Sequence, residues 1–207
     1  SIEKSSVNNN MDDSNQSIIN RIADDQSLRD SINRAFVSLG IPYKISVRQI
    51  TQDVFQGTTF LALTLTDTRT NEIEVGIPDV GYGIGQVLSL IETIESTRNA
   101  CIIIEQPELH LHPGMQAQLG EFLVSAVSDS SGRQIIAETH SEHLILRIMK
   151  LIRNKKIDPS LVQIVYVDQD ELGMSFTKAI EINAQGRFTT AWPRGFFEER
   201  MVERDDD

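Results

Sequence analysis

The run Cys101-Ile102-Ile103-Ile104, broken off by Glu105-Gln106-Pro107-Glu108, constrains this chain more than any other stretch. Its apolar residues are rich in β-branching and show no alternation, which predicts a short strand buried on both faces of a parallel sheet. Cys101 is then a core residue. In open α/β sheets, ligands collect just beyond the carboxyl ends of such strands. Glu105 therefore falls at a place suited to chemistry.

The rest of the chain supplies the context for that strand. Ser1 to Ser17 is polar, rich in Ser, Asn and Asp, and is expected to be disordered. Residues 18–79 read as a helical part followed by antiparallel strands. Leu28, Ile32, Ala35, Phe36 and Leu39 keep helical spacing until Gly40 and Pro42 end it. The apolar positions between Tyr43 and Ile77 then follow a strand period, with polar turns such as Asp67 to Asn71. From Val80 the pattern becomes helix, strand, helix, strand. Stripes at Ile84–Ile94, Met115–Ala126 and Leu144–Ile152 alternate with strands at Cys101–Glu105, Gln134–Ala137 and Leu161–Val167. Such alternation implies right-handed crossovers and a mostly parallel sheet flanked by helices, an α/β class. A hairpin-like pair around Phe176 to Ile182, an aromatic turn (Trp192, Pro193, Phe196, Phe197) and an acidic tail at 198–207 complete the chain.

Composition narrows the partners. A formal charge of -11 argues against the whole chain being a nucleic-acid glove. Arg147, Lys150, Arg153, Lys155 and Lys156 form a local basic group, read here as a solvent-facing helix surface. No stretch reaches the roughly 18 apolar residues of a membrane span, and no secretory pattern opens the chain. With one cysteine, intrachain disulfides are impossible, and a cytoplasmic location is expected.

Three motifs then follow in order. Gly81-Tyr82-Gly83-Ile84-Gly85-Gln86 opens a helix with a glycine-rich turn, whose backbone N–H groups and dipole favour an anion. Glu105 at its strand end can hold the water shell of a magnesium ion, while a polar neighbour, Gln106, orients an attacking water. The strand Gln134–Ala137 leads into Glu138-Thr139-His140-Ser141, and His140 can donate a hydrogen bond to a terminal phosphate oxygen in the right tautomer. Each motif alone is weak, and their order is the informative part.

The segment Val80 to Ile148 resembles the second half of an ABC-type ATPase domain, in the branch of the OLD-family (overcoming lysogenization defect) ATPases and their AAA-labelled bacterial relatives. Glu105 through Pro113 is similar to that family's Walker B and D-loop, Thr139-His140-Ser141-Glu142-His143 to its switch-histidine loop, and Gly81 through Gln86 to its signature motif. Trp192-Pro193-Arg194-Gly195-Phe196-Phe197 is similar to the C-terminus of a related ATPase subgroup. The resemblance implies a P-loop NTPase fold over residues 80–197, the C-terminal lobe of an ABC-like ATPase, with 18–79 the end of an insertion. It implies ATP and Mg2+ as cofactors, held in a homodimer or higher oligomer. Glu105 would be the metal carboxylate, and Glu105, Gln106 and His140 the catalytic set. Gly83, Gly85 and Gln86 would close on the nucleotide of the opposing subunit. Relatives of this kind are often coupled to nucleases or other effectors in DNA metabolism and phage defence, with DNA engagement left open here.

Two departures qualify this. No Gly-x-x-x-x-Gly-Lys-[Ser/Thr] occurs in the sequence, so the expected reading is half a site, completed by an N-terminal half carrying the P-loop, with weak or no ATP binding by this chain alone. Gln106 stands where most ABC-type ATPases carry a glutamate. An amide positions water but cannot accept its proton, which leaves Glu108 or Glu138 as possible aids to hydrolysis. Two other readings compete. One is a nucleotide-gated clamp without efficient hydrolysis. The other is a metal-dependent hydrolase using His110, His112, His140 and His143 with nearby carboxylates. His110, His112 and His143 also admit the plainer reading of helix caps or carbonyl partners.

Overall fold

The computed structural model of the protein describes residues 13–52, 58–70, 73–128 and 131–190. The aromatic turn at 192–197, the acidic tail and most of the polar N-terminal segment lie outside the described residues. The chain divides into two compact units, Ser1–Thr97 and Arg98–Asp207.

The first unit begins with helices α1 (Asp13–Asp24) and α2 (Gln26–Ser38). Helix α1 includes residues 13–17, so the expected disorder does not extend to Ser17. One helical part was expected, and two are present because Asp25 adopts an extended conformation and its carboxylate accepts from Leu28 N at 3.0 Å, starting a new helix. Strands β1 (Tyr43–Gln52), β2 (Thr58–Asp67) and β3 (Glu74–Gly76) form an antiparallel sheet in the order β1-β2-β3, as the period of this stretch predicts. Helix α3 (Tyr82–Ser96) follows a short 3-10 turn. Ile22, Ile32, Phe36, Leu65, Ile91 and Ile94 are buried in this unit. Two polar ties reinforce it. Asn33 of α2 accepts from Ile45 N of β1 at 2.8 Å, and Arg21 of α1 grips the buried Glu92 of α3 through both carboxylate oxygens.

The second unit is built on β4 (Cys101–Glu105) and β5 (Gln134–Glu138), paired in parallel, with α4 (Pro113–Ser128) as the crossover and α5 (Glu142–Arg153) after β5. Helices α4 and α5 approach closely at Gly120, where a Cβ would lie 3.0 Å from the Leu144 carbonyl. Val124, Leu151, Ile152 and Ile157 form an apolar cluster, with Val127, Ile148, Val162 and Ile182 packed on it.

Two expectations about this unit need correction. Strand β4 is buried on one face only, since Ile102 is buried whereas Ile103 is 73% exposed and Cys101 is exposed. Side chains alternate across a strand, and the helices of this unit shield one of the two faces. Cys101 is therefore not a core residue. The second correction concerns Leu161–Val167, expected as a third parallel strand. Strand β6 (Ile164–Gln169) instead pairs antiparallel with β7 (Ser175–Ile180) as a separate hairpin. The turn between them is closed by Asp170, which accepts from Leu172 N and Met174 N at 2.9 and 2.8 Å. That short-range turn chemistry makes the hairpin partner available locally.

Candidate functional site at the ends of two parallel strands

Parallel pairing in register places Glu105 opposite Glu138, with Ile103 opposite Ile136 and Ile104 opposite Ala137. Register partners share a face. The two carboxylates thus stand side by side at the carboxyl end of the pair, both exposed. Strand spacing in such a ladder is about 4.8 Å. The ladder continues one step further, because Gln106 N donates to Glu138 O at 2.9 Å.

Beyond that bond the chain turns. Gln106 has φ +44 and His110 φ +63, both left-handed. Such conformations are uncommon outside glycine and mark a tight, specifically shaped loop. Leu109 N donates to Gln106 O and Leu111 N to Glu108 O, each at 3.0 Å, winding residues 106–111 into successive turns. Gln106 is half-buried, and its backbone is held by the ladder bond at one end and the turn at the other.

After β5, Thr139 Oγ1 accepts from Ser141 N at 3.0 Å, and Ser141 Oγ caps α5 by accepting from Leu144 N at 3.1 Å. His140, between them, is exposed. Its backbone N–H donates to Glu108 Oε1 at 2.7 Å. Ser141 Oγ donates to Gln116 Oε1 at 2.6 Å, and Gln116 Nε2 donates to Leu111 O at 3.0 Å. Glu105, Gln106 and His140 are therefore all on loops or strand ends belonging to the β4–β5 pair. Glu108 is only 7% exposed and tied to the His140 backbone, so it is not a free carboxylate beside the strand ends. Glu138 is the exposed one.

Gly83, Gly85 and Gln86 belong to the other unit, in the first turns of α3. Gly81 precedes that helix with φ +87 and ψ 158, a conformation suited to glycine. No side chain caps the helix start.

The histidines do not assemble a metal centre. Among the described residues, no group of three or more His, Cys, Asp or Glu side chains is placed to hold an ion. His112 has a local role, with Nδ1 accepting from Gly114 N at 3.2 Å at the start of α4. That is the helix-capping reading. Two of the five residues of the basic group are engaged in structure: Arg147 pairs with Glu121 at 2.6 Å and Arg153 Nε donates to Gln185 O at 3.2 Å. Sequence reasoning missed Gln116 altogether. A glutamine in the first turn of a helix after His-Pro carries no signal of a partner 25 residues away.

The parallel β4–α4–β5 unit gives the second unit an α/β fold with polar groups at its strand ends. The chain belongs to the AAA ATPase domain family, whose model matches residues 1–145, and with it to the ATP-binding ATPases. No curated protein matches the chain in sequence. Among solved structures, one from work on ATP-driven dimerization and DNA-stimulated activation of SMC ATPases is similar at TM-score 0.54 and 11% identity, over 92% of this chain and 98% of that one. An Smc head bound to the C-winged helix domain of ScpA is similar at 0.51 and 12%, over 75% of this chain and 43% of that one. A Pyrococcus yayanosii Smc head with a coiled coil and joint is similar at 0.51 and 10%, over 94% and 32% respectively. The chain thus spans less than half the length of the last two, and at these identities the likeness is one of fold. Among the described residues no helix is long and apolar enough to cross a membrane.

Proposed function

We propose that this chain forms the hydrolytic lobe of an ABC-type, OLD-like ATPase, completed by a P-loop-bearing half, in which ATP held between two subunits switches engagement of a partner or of DNA. The observation that carries this is the in-register ending of β4 and β5, with Glu105, Gln106 and Glu138 joined by the Gln106–Glu138 ladder bond and His140 following two residues later. An exposed carboxylate at a strand end fits magnesium, which binds through one or two carboxylates and keeps several waters. When bound, the ion neutralises charge developing on the transferred phosphoryl group.

The chain's own residues have separate tasks. Glu105 would hold the ion. Gln106, with a fixed backbone, orients the nucleophilic water by hydrogen bonds but cannot take its proton. His140 donates to a terminal phosphate oxygen. Gly83, Gly85 and Gln86 present the uncapped start of α3 to the nucleotide on the opposing subunit. The amide at 106 also supports a second reading, a nucleotide-gated clamp with slow hydrolysis.

Phosphate release by the protein joined to its P-loop half tests both. Glu105→Ala abolishes magnesium-dependent turnover, and Gln106→Glu raises turnover. An unchanged rate in the Glu105 variant removes that residue from the metal role. ATP-dependent dimerisation without phosphate release, before and after Gln106→Glu, selects the clamp.

A further inference from the structure

The segment from the end of β4 into α4 and the segment from the end of β5 into α5 are cross-linked by three hydrogen bonds that follow one another along both. Gln106 N meets Glu138 O, His140 N meets Glu108 Oε1, and Ser141 Oγ meets Gln116 Oε1. The middle bond is unusual. Backbone N–H groups at loop positions ordinarily bond water or nearby side chains, whereas this one is met by a carboxylate 32 residues away. That carboxylate is buried, and its other oxygen, Oε2, meets no donor among the described residues. A buried, half-satisfied carboxylate is costly, and an apolar residue of similar volume would serve packing better. Its place is therefore explained by what it holds, and what it holds is the peptide of His140, whose side chain is left exposed.

We infer that Glu108 is a positioning residue for His140, fixing the backbone from which the imidazole reaches the phosphate, and that Gln116 with Ser141 is the second anchor of the same loop. Resting as it does on the reading of this site as a nucleotide switch, the inference gives Glu108 no proton to accept. A side chain on a loop held at two neighbouring residues is pre-organised, and a displacement of about 1 Å can cost roughly 100-fold in rate.

Two substitutions separate positioning from proton transfer. Glu108→Gln keeps the oxygen that accepts from His140 N, and Glu108→Met keeps the volume but removes the acceptor. Amide hydrogen exchange over residues 139–144 is read in the intact protein, together with kcat and KM for ATP in the same protein joined to its P-loop half. Glu108→Met is expected to speed exchange at the His140 amide about tenfold or more and to lower kcat with KM little changed. Glu108→Gln is expected to restore both. Unchanged exchange in the Met variant overturns the tie. Equal loss of kcat in the Gln and Met variants, with exchange restored only in Gln, overturns positioning in favour of proton transfer. If the unsubstituted protein hydrolyses no ATP but its His140 amide responds as expected, the proposed function fails while the tie stands. If it hydrolyses ATP and the Met variant is as fast, the positioning role fails alone. Should the Met variant not fold, Glu108→Ala, which removes the acceptor without adding bulk, takes its place, and unchanged exchange at the His140 amide in that variant overturns the inference.

Discussion

Replacing Arg21 by leucine should expose how much the first unit depends on one ion pair. Glu92 is 0% exposed, and Arg21 meets both its oxygens, Nε to Oε1 at 2.7 Å and Nη2 to Oε2 at 2.9 Å. The hydrogen bond that Arg21 donates to Glu92 raises the Arg21 pKa, against the lowering effect of its burial. Removing one partner of a fully buried pair costs about 3–5 kcal/mol, because a charge is left without compensation. The Arg21 side chain is 50% exposed, so water screens the pair and can reach the cavity that the change opens. That reduces the expected loss in Arg21→Leu to roughly 2–3 kcal/mol. Glu92→Leu alone frees an arginine that can turn to solvent, at about 1 kcal/mol. The double variant removes both charges and should also lose only about 1 kcal/mol. The cycle then reports a coupling of about 2–3 kcal/mol. Urea unfolding of the four proteins at neutral pH, with m unchanged across the set, measures it. Single losses that add to the double within about 0.5 kcal/mol would refute the argument. Because Glu92 lies on α3, the same pair tethers the helix that begins with the Gly81–Gln86 turn.

Three further outcomes can be checked on the same protein. A Cβ at Gly186 would lie 2.1 Å from the Met149 carbonyl at φ +62, one at Gly120 would lie 3.0 Å from the Leu144 carbonyl, and one at Gly173 (φ +76) meets nothing within 4 Å. The alanine variants should therefore lose thermal stability in the order Gly186, Gly120, Gly173, with Gly120→Ala costing about 1–3 kcal/mol; an inverted order contradicts the close approaches. Ser141→Ala removes the α5 cap and the Gln116 bond and should cost about 1 kcal/mol in denaturant unfolding, recovered only in part in Ser141→Asp, whose carboxylate can accept from Leu144 N but cannot donate to Gln116 Oε1. Asp67 is pulled down to about 2, first by the Arg69 side-chain hydrogen bond and then by the Arg69 backbone N–H. Its folded value is depressed, so its contribution is present above the ordinary carboxylate range and is lost as pH falls through about 2. NMR titration of the Asp67 carboxyl should show that midpoint and a return towards about 4 in Arg69→Ala.

What sequence reasoning recovered and what it missed divide by range. The apolar run Cys101–Ile104 could be read as a strand, and Glu105 as its end, because strand period and termination are properties of adjacent residues. The same holds for the α2 stripe from Leu28 to Leu39 and for the antiparallel stretch from Tyr43 to Ile77. Burial of Cys101 could not be read, since an apolar pattern records what a strand tolerates on each face, not which face a helix covers. The wrong partner was inferred for β6 for a similar reason. Its own residues suit either a parallel neighbour or a hairpin, and the Asp170–Gly173 turn decided between them.

The sequence by itself determined the order of three motifs: a glycine turn opening α3, a carboxylate and an amide ending β4, and a histidine two residues beyond β5. These are local patterns whose meaning comes from period and from neighbours in the chain. Only the tertiary structure decided that Glu105 stands in register with Glu138 and that Glu108 is spent on the backbone of His140. It alone paired Arg21 with Glu92, 71 residues on. Each of those pairings joins groups whose separation along the chain leaves no trace in composition or spacing. They form because packing brings the groups within hydrogen-bonding distance and burial makes an unmet polar atom costly.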